Sequence, residues 1–522
     1  MFTNEKGSAL IFVLLMVVMF SILGLSVLGA TVSTGKRTEL QEDQVESVQQ
    51  AKKAIQQGVV LLQSYFEDYS LKDMKAYNNE VKSFEDIELS YSENGSHVTY
   101  TITNVTNEIP SIDPTTNYTR VFDIRSEASV DGTGGAPPQV HSFSKRVFLS
   151  ATPTALQNGI GSKETLTLNG SPSLIGNVYA GKLLLSETGN YIFGNTQPAF
   201  KTEGLAVVTP ASSTFLQQQQ AIVSITNTAN FLTVRQNDEF LSNENSEFAL
   251  ENSSGEKYQG IDVQKTFQDK STQHKPPISE ETCIAFDTFG NIIQTPSNQE
   301  AYILSSACPG APEGIKDFVL YESDKLTGAD KWLYVEGNLT IYGSKPDADG
   351  DDVMNIEQNI LIDGDLNITG TIRFNSAIYT TGTSEIYNTN IIGDETEQLA
   401  LFSKGDLTIS RINEFENPVE KGSSLKSFFY SEKQIELYAV GSYIHIIGGI
   451  FSAKDLTVNA ARGVVGYKDV KAGRPIGLTD GLPRLKIDYD PTIVFNKSTA
   501  LPRVERLQVF SNSLIEHTYS SQ

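Results

Sequence analysis

Gly337-Asn338-Leu339-Thr340-Ile341 returns as Gly364-Asp365-Leu366-Asn367-Ile368, again as Gly405-Asp406-Leu407-Thr408-Ile409, and in decayed form as Lys454-Asp455-Leu456-Thr457-Val458. Leu and Ile or Val alternate with Thr or Asn, the period of two that puts apolar side chains on one face of a strand. The Gly-Asx pair feeding each strand tolerates the left-handed backbone that a tight corner needs. A short strand of this kind cannot close a core alone. Stacked in parallel, each covers the next, which is the logic of a β-helix or other solenoid. The copies start 27, 41 and 49 residues apart, so loops must project where the period stretches. Related rungs can be read in residues 166–185 and 435–450. A β-sandwich built from hairpins is the competing architecture.

This body extends over residues 159–480, followed by a C-terminal segment at 481–522. Residues 211–331 break its pattern and read as an insertion, with glutamines at 217–220 and a polar stretch at 237–275. Long excursions on a rigid scaffold often carry binding. Cys283 and Cys308, the only cysteines, flank a 24-residue segment within it. They are too few for a disulfide scaffold, but can form one bridge if the body lies in an oxidising compartment. Asp347-Ala348-Asp349-Gly350-Asp351-Asp352 places Asp347, Asp349 and Asp351 at alternate positions, a spacing that suits calcium. The calcium-loop pattern wants glycine sixth and glutamate twelfth. Here glycine is fourth and Gln358 is twelfth, so a solvated acidic turn is the better reading and no cofactor is assigned.

Toward the N-terminus, residues 84–158 alternate as a small antiparallel sheet. Ile87, Leu89 and Tyr91 precede Asn94-Gly95, and Val98, Tyr100 and Ile102 follow it, a strong hairpin signal. Strands over 121–130 and 140–151 make a second pair around a glycine- and proline-rich loop.

Ahead of the sheet, residues 8–83 read as a long helical region. Residues 9–30 carry no charge and, at 1.5 Å per residue, reach about 33 Å, enough to cross a bilayer. A cleaved secretory signal has a shorter apolar region and a small-x-small cut site. Leu28 stands where the small residue should be. Beyond the span, Val45, Val48, Ala51, Ile55, Val59, Leu62 and Phe66 recur at helical spacing, with charged residues between them. No proline interrupts residues 8–69, so one helix of about 60 residues is expected. A generic anchor with a coiled-coil stalk fits the same periodicity. The fold class is therefore α+β, with an apolar helix, a small sheet and a large all-β body.

Lys and Arg total 40 against 63 Asp and Glu, a net charge of −23. Nucleic-acid binding depends on cationic side chains at phosphates, so no nucleic-acid partner is expected. The five histidines show no metal-ligand spacing, and no hydrolase, kinase or dinucleotide motif is present.

Lys6-Gly7-Ser8-Ala9-Leu10-Ile11, with a short polar leader at 1–7 and the apolar run behind it, resembles the processing site of type IV prepilins. It is similar in particular to minor pilins with a PilX-type N-terminal segment. The resemblance covers about 25 residues. It implies cleavage between Gly7 and Ser8 by a prepilin peptidase, methylation of the new terminus, and packing of the helix against other pilin-like subunits. Most major pilins carry glutamate at the fifth mature position; Phe12 stands there in this chain. Its absence fits a minor or tip subunit of a pilus or pseudopilus. On this reading the chain is a non-enzymatic single-pass membrane protein with its body outside the cell. The alternatives are an anchored β-helix enzyme acting on polysaccharide and a bactofilin-like surface scaffold.

Overall fold

Helix α1 (Lys6–Phe66) is 61 residues long and unbroken. The computed structural model describes residues 6–517 except 68, 70, 72–73, 83, 85, 94, 110–111, 116, 133–137, 193–198, 202–204, 212–220, 237–247, 255–259, 297–300, 322–330, 345–352, 393–396, 413–414, 416–424, 464, 467–481, 491–499, 504–506 and 512–514. α1 stops well short of residue 83. A separate helix α2 (Met74–Lys82) follows, burying Tyr77 and Val81. The break is set by packing: Tyr69 folds back on Phe66 and Tyr77, with ring centroids 6.1 and 6.2 Å apart.

Strands β1 (Ile87–Glu93), β2 (Ser96–Asn104), β3 (Arg120–Val130) and β4 (Gln139–Ser150) form an antiparallel sheet in that order. Ile102, Ile124, Val147 and Leu149 on the sheet bury Ala51, Ile55, Val59, Leu62 and Phe66 of α1. Gly58 permits the close approach, since a Cβ there would lie 2.9 Å from Ile124 Cγ2. The 481–522 segment does not stand apart. Its strands Gln508–Ser511 and Ile515–His517 pair antiparallel with β4 and widen the same sheet. Pairing across so long a separation leaves no local pattern to read.

The body is a parallel β-solenoid. Among the described residues, 22 strands form one continuous sheet, and the pairings are parallel throughout. The repeat leucines lie in one internal column: Leu339 over Leu366, then Ser384, Leu407, Ile435, Leu456, Leu166 and Leu183. Ile341, Ile368, Ile386, Ile409, Leu437, Val458 and Leu168 form the column beside it. The irregular period has a simple cause: unmarked rungs at Ser384 and Ile435 fall between the recognisable copies. Burying each Leu or Ile in such a column is worth about 1.5–3 kcal/mol, which suffices to hold rungs of unequal length in register.

The corners are tied by polar side chains. Asn338, Asp365 and Asp455 accept from the amides of Asp365, Thr383 and Thr165 at 2.8, 2.6 and 3.0 Å, each capping the next rung. Buried Ser403 and Ser431 donate to the carbonyls of Gly382 and Gly405, at 3.1 and 2.7 Å. Thr380, Ser452 and Ser162 do the same to Gly364, Lys433 and Lys454. These bonds satisfy backbone groups that a tight turn would otherwise leave buried and unpaired.

Spatial order and chain order part at one place. From one end the rungs run Ala301–Leu304, Trp332–Val335, Asn359–Ile362, Ser376–Thr380, Gln398–Ser403, Leu425–Ser431 and Ile444–Ser452. The next rung is not further along the chain but Ile160–Gly170, then Val178–Ser186, Ala221–Ile225 and Phe248–Asn252. The chain thus enters the stack in its middle, winds to one end, crosses to the other and winds back. Residues 211–331 are therefore not an insertion: they hold the last rungs of the first run, the crossing, and the first rungs of the second. The glutamines at 217–220 and part of the polar stretch at 237–275 lie outside the described residues.

Part of that crossing is a helix. After α3 (Thr228–Gln236), helix α4 (Val263–His274) lies along an outer face of the stack. Tyr334, Leu361, Tyr379, Phe402, Tyr430, Phe451 and Tyr179 form a buried ladder there, which α4 covers with Val263 and Phe267. From the rung of Tyr430 to that of Tyr334 is four steps, about 19 Å, and twelve helical residues rise about 18 Å. The helix is long enough and no longer.

Candidate functional site

The span half of α1 touches nothing. Side chains from Leu10 to Leu28 are exposed, and a Cβ at Gly24, Gly29 or Gly35 would meet no atom within 4 Å. This segment is apolar and long enough to cross a membrane. Gly7 and Ser8 lie in the first turn of the helix. Of the residues expected to pack against other subunits, Phe12 and Val45 are exposed and Val48 is half-buried. Ile55, Val59 and Leu62 are not available for that role. They are buried under the chain's own sheet, because the amphipathic half of the helix finds its apolar partner within the molecule. Polar contacts lock it there: Ser47 Oγ lies 2.7 Å from His141 Nδ1, and Ser126 donates to the Ala51 carbonyl at 2.8 Å.

At one end the solenoid is closed by a cap. Cys283 and Cys308 are disulfide-bonded, with Cα atoms 5.8 Å apart. Cys283 bridges to Ile303, so the bond fastens the terminal turn to the first full rung. Ile284 and Phe286 drop into the end of the core. The hairpin of Ala285–Phe286 with Ile292–Gln294 then folds over it. Asp287 accepts from the Phe289 and Asn291 amides at 2.8 and 2.9 Å and from the Asn291 side chain at 2.8 Å. Those bonds, the Asn291 side chain first, hold its carboxyl below the usual range. Gly290 adopts φ +81°, and a Cβ there would meet the Asp317 carbonyl at 1.9 Å, so only glycine fits.

The cap lies at the end of the molecule away from the span. Ser47 of α1 meets His141 near the start of β4, while Tyr77, beyond the end of α1, reaches Leu149 near its close. On the solenoid side, Glu251 of the last rung lies near Lys145, Tyr489 donates to Leu156, and Tyr379 donates to Ala500 beside Arg503. Moving away from the span along β4 therefore means climbing from the Glu251 rung toward the Tyr379 rung, with the cap further on.

The buried charges are structural. Arg484, fully buried, donates to the carbonyls of Ser442, Gly441 and Gly463 at 3.0, 3.0 and 3.2 Å. Lys270 on α4 is pushed down to about 8 by burial, with Arg503 adding to the effect. Among the described residues, no group of three or more His, Cys, Asp or Glu is placed to hold a metal ion. Asp347, Asp349 and Asp351 lie outside the described residues.

The family model for the haemagglutinin repeat matches residues 334–410 and 438–482. The described residues of both stretches lie on or beside the strands of the solenoid. No curated protein and no solved structure matches the chain. The molecule combines an apolar helix of membrane-spanning length with a β-rich body that is similar, over those two stretches, to adhesin-like haemagglutinin repeats.

Proposed function

We propose that the protein is a non-enzymatic surface adhesin, carried to the cell exterior as a minor or tip subunit of a type IV pilus or pseudopilus. The observation that carries this reading is the division of α1. Its first half is bare and apolar, its second half is packed on an antiparallel sheet, and the solenoid extends from that sheet away from the span. A subunit of this shape can leave the bilayer by its helix without unfolding its head. The prepilin-like Lys6-Gly7-Ser8 start supplies the processing step, and Phe12 in place of a glutamate suits a position with no subunit above it. The Cys283–Cys308 bond supports a body on the oxidising side of the membrane. The similarity of two stretches of the solenoid to the haemagglutinin repeat supports an adhesive role for it.

The test is the N-terminal residue and intact mass of the protein, with and without the prepilin peptidase. A mature chain beginning at Ser8, absent in the peptidase deletion and in Gly7→Glu, is the expected result. An intact Met1, or a cut near Ala30, would leave an anchored or secreted adhesin and remove the pilus from the reading.

A further inference from the structure

The exposed large apolar side chains of the cap half of the solenoid fall largely on one line. Phe289, at the tip of the cap hairpin, is 79% exposed, and Ile293 on its second strand is 68% exposed. Asn291 bridges in parallel to Val319, which puts Ile293 level with Tyr321. Tyr321 pairs with Tyr342 and Tyr342 with Thr369 in the rungs below. Tyr387 follows on the next strand. Tyr321 and Tyr342 are each 42% exposed and Tyr387 37%. The first two rings stack with centroids 5.4 Å apart, and the Arg411 guanidinium lies 5.2 Å from the Tyr387 ring centroid. These contacts hold the three tyrosine rings in place. It runs beside a second outward column, Thr340, Asn367, Glu385 and Thr408, of hydroxyls, an amide and a carboxylate.

We propose that Phe289, Ile293, Tyr321, Tyr342 and Tyr387 form the contact surface for a linear, uncharged polysaccharide lying along the stack. This deepens the adhesive reading and rests on it. Tyrosines held in place offer broad amphipathic contact at little entropic cost. The neighbouring hydroxyls and carboxamide can exchange hydrogen bonds with sugar hydroxyls. The surface is a straight strip that repeats at the strand spacing of about 4.8 Å, so a polymer of similar small units meets comparable groups at successive rungs. Charge decides the class of polymer. Glu385 lies on the strip and the chain carries −23, which repels polyanions and leaves a neutral chain as the fitting occupant.

The experiment is affinity electrophoresis of the full-length detergent-solubilised protein. Native gels would contain hydroxyethylcellulose, glucomannan, laminarin or dextran, with heparin and polygalacturonate as anionic arms. At least one neutral polymer should retard the wild type. Tyr342→Ala with Tyr387→Ala should weaken that retardation about tenfold or more, the scale of losing an aromatic anchor, with an unchanged melting temperature. Tyr342→Phe should retain most of it. The proposal is overturned if no neutral polymer retards the wild type, if only the anionic ones do, or if the double variant migrates like the wild type. Adherence of cells displaying the chain separates the two levels. Adherence that survives periodate treatment of the target surface but not protease treatment would move the ligand to protein and leave the adhesive reading standing. No gain in adherence would remove both.

Discussion

His445 shows how a single side chain in the solenoid records its surroundings. It lies on the strand Ile444–Ser452 opposite Lys486, and its Nε2 is buried with no partner among the described residues. Burial, aided by Lys486, lowers its pKa from the ordinary 6.5 to about 4. A base depressed in the folded state stabilises fully above its unfolded value and loses that contribution as pH falls through the folded one. Stability should therefore fall between pH 6.5 and 4, by something of the order of 2 kcal/mol from this group. His445→Gln should flatten that part of a melting-temperature profile against pH. Gly161 reports the opposite constraint, lack of room. A Cβ there would lie 2.4 Å from Phe451 Cε2, in the buried aromatic ladder. Gly161→Ala should cost about 1–3 kcal/mol in chemical denaturation, as overpacking of a filled core does.

Two elements brace the stack, one at its capped end and one along its outer face. The cap depends on the Cys283–Cys308 bond, so replacing both cysteines with serine should cost about 2–4 kcal/mol. The loss should be local. Hydrogen exchange should quicken at Ile292–Gln294 while the rung at Leu407–Ser410 keeps its protection. The crossing helix α4 is fastened at both ends. Its Val263 amide donates to the Glu432 carboxylate, and Asp262 caps the Lys265 amide at 2.7 Å. At the far end His274 stacks on Trp332 at 4.4 Å, and Lys275 lies 4.0 Å from the Tyr334 ring centroid. Phe267→Ala should cost about 3 kcal/mol and unveil the ladder, seen as binding of a hydrophobic dye before global unfolding.

At the scale of the molecule, the solenoid is a long excursion from the small sheet, leaving after β4 and returning to pair with it. Both ends of the body are thereby tethered to one strand. Removing residues 508–522 should leave one edge of that strand unpaired, lower the melting temperature of the head and leave the solenoid transition nearly unchanged in calorimetry. A single transition lost as a whole would instead mean that head and body fold as one unit.

Periodicity along the chain was enough to determine the type of most regular elements. Alternation marked β1 to β4, unbroken apolar residues marked the span, and the Leu-x-Ile copies marked parallel rungs, because each depends on neighbours within a few positions. The two cysteines could be read only as able to form one bridge if the body lies in an oxidising compartment. Three things were decided only in the folded molecule. Ile55, Val59 and Leu62 bury within their own head, since an apolar stripe does not say what covers it. Residues 211–331 carry the crossing of the stack, since rungs are matched by side-chain fit rather than by order in the chain. The exposed line from Phe289 to Tyr387 arises because outward positions on rungs far apart in sequence fall into one column. In each case the deciding contact joins residues whose separation along the chain no local pattern encodes.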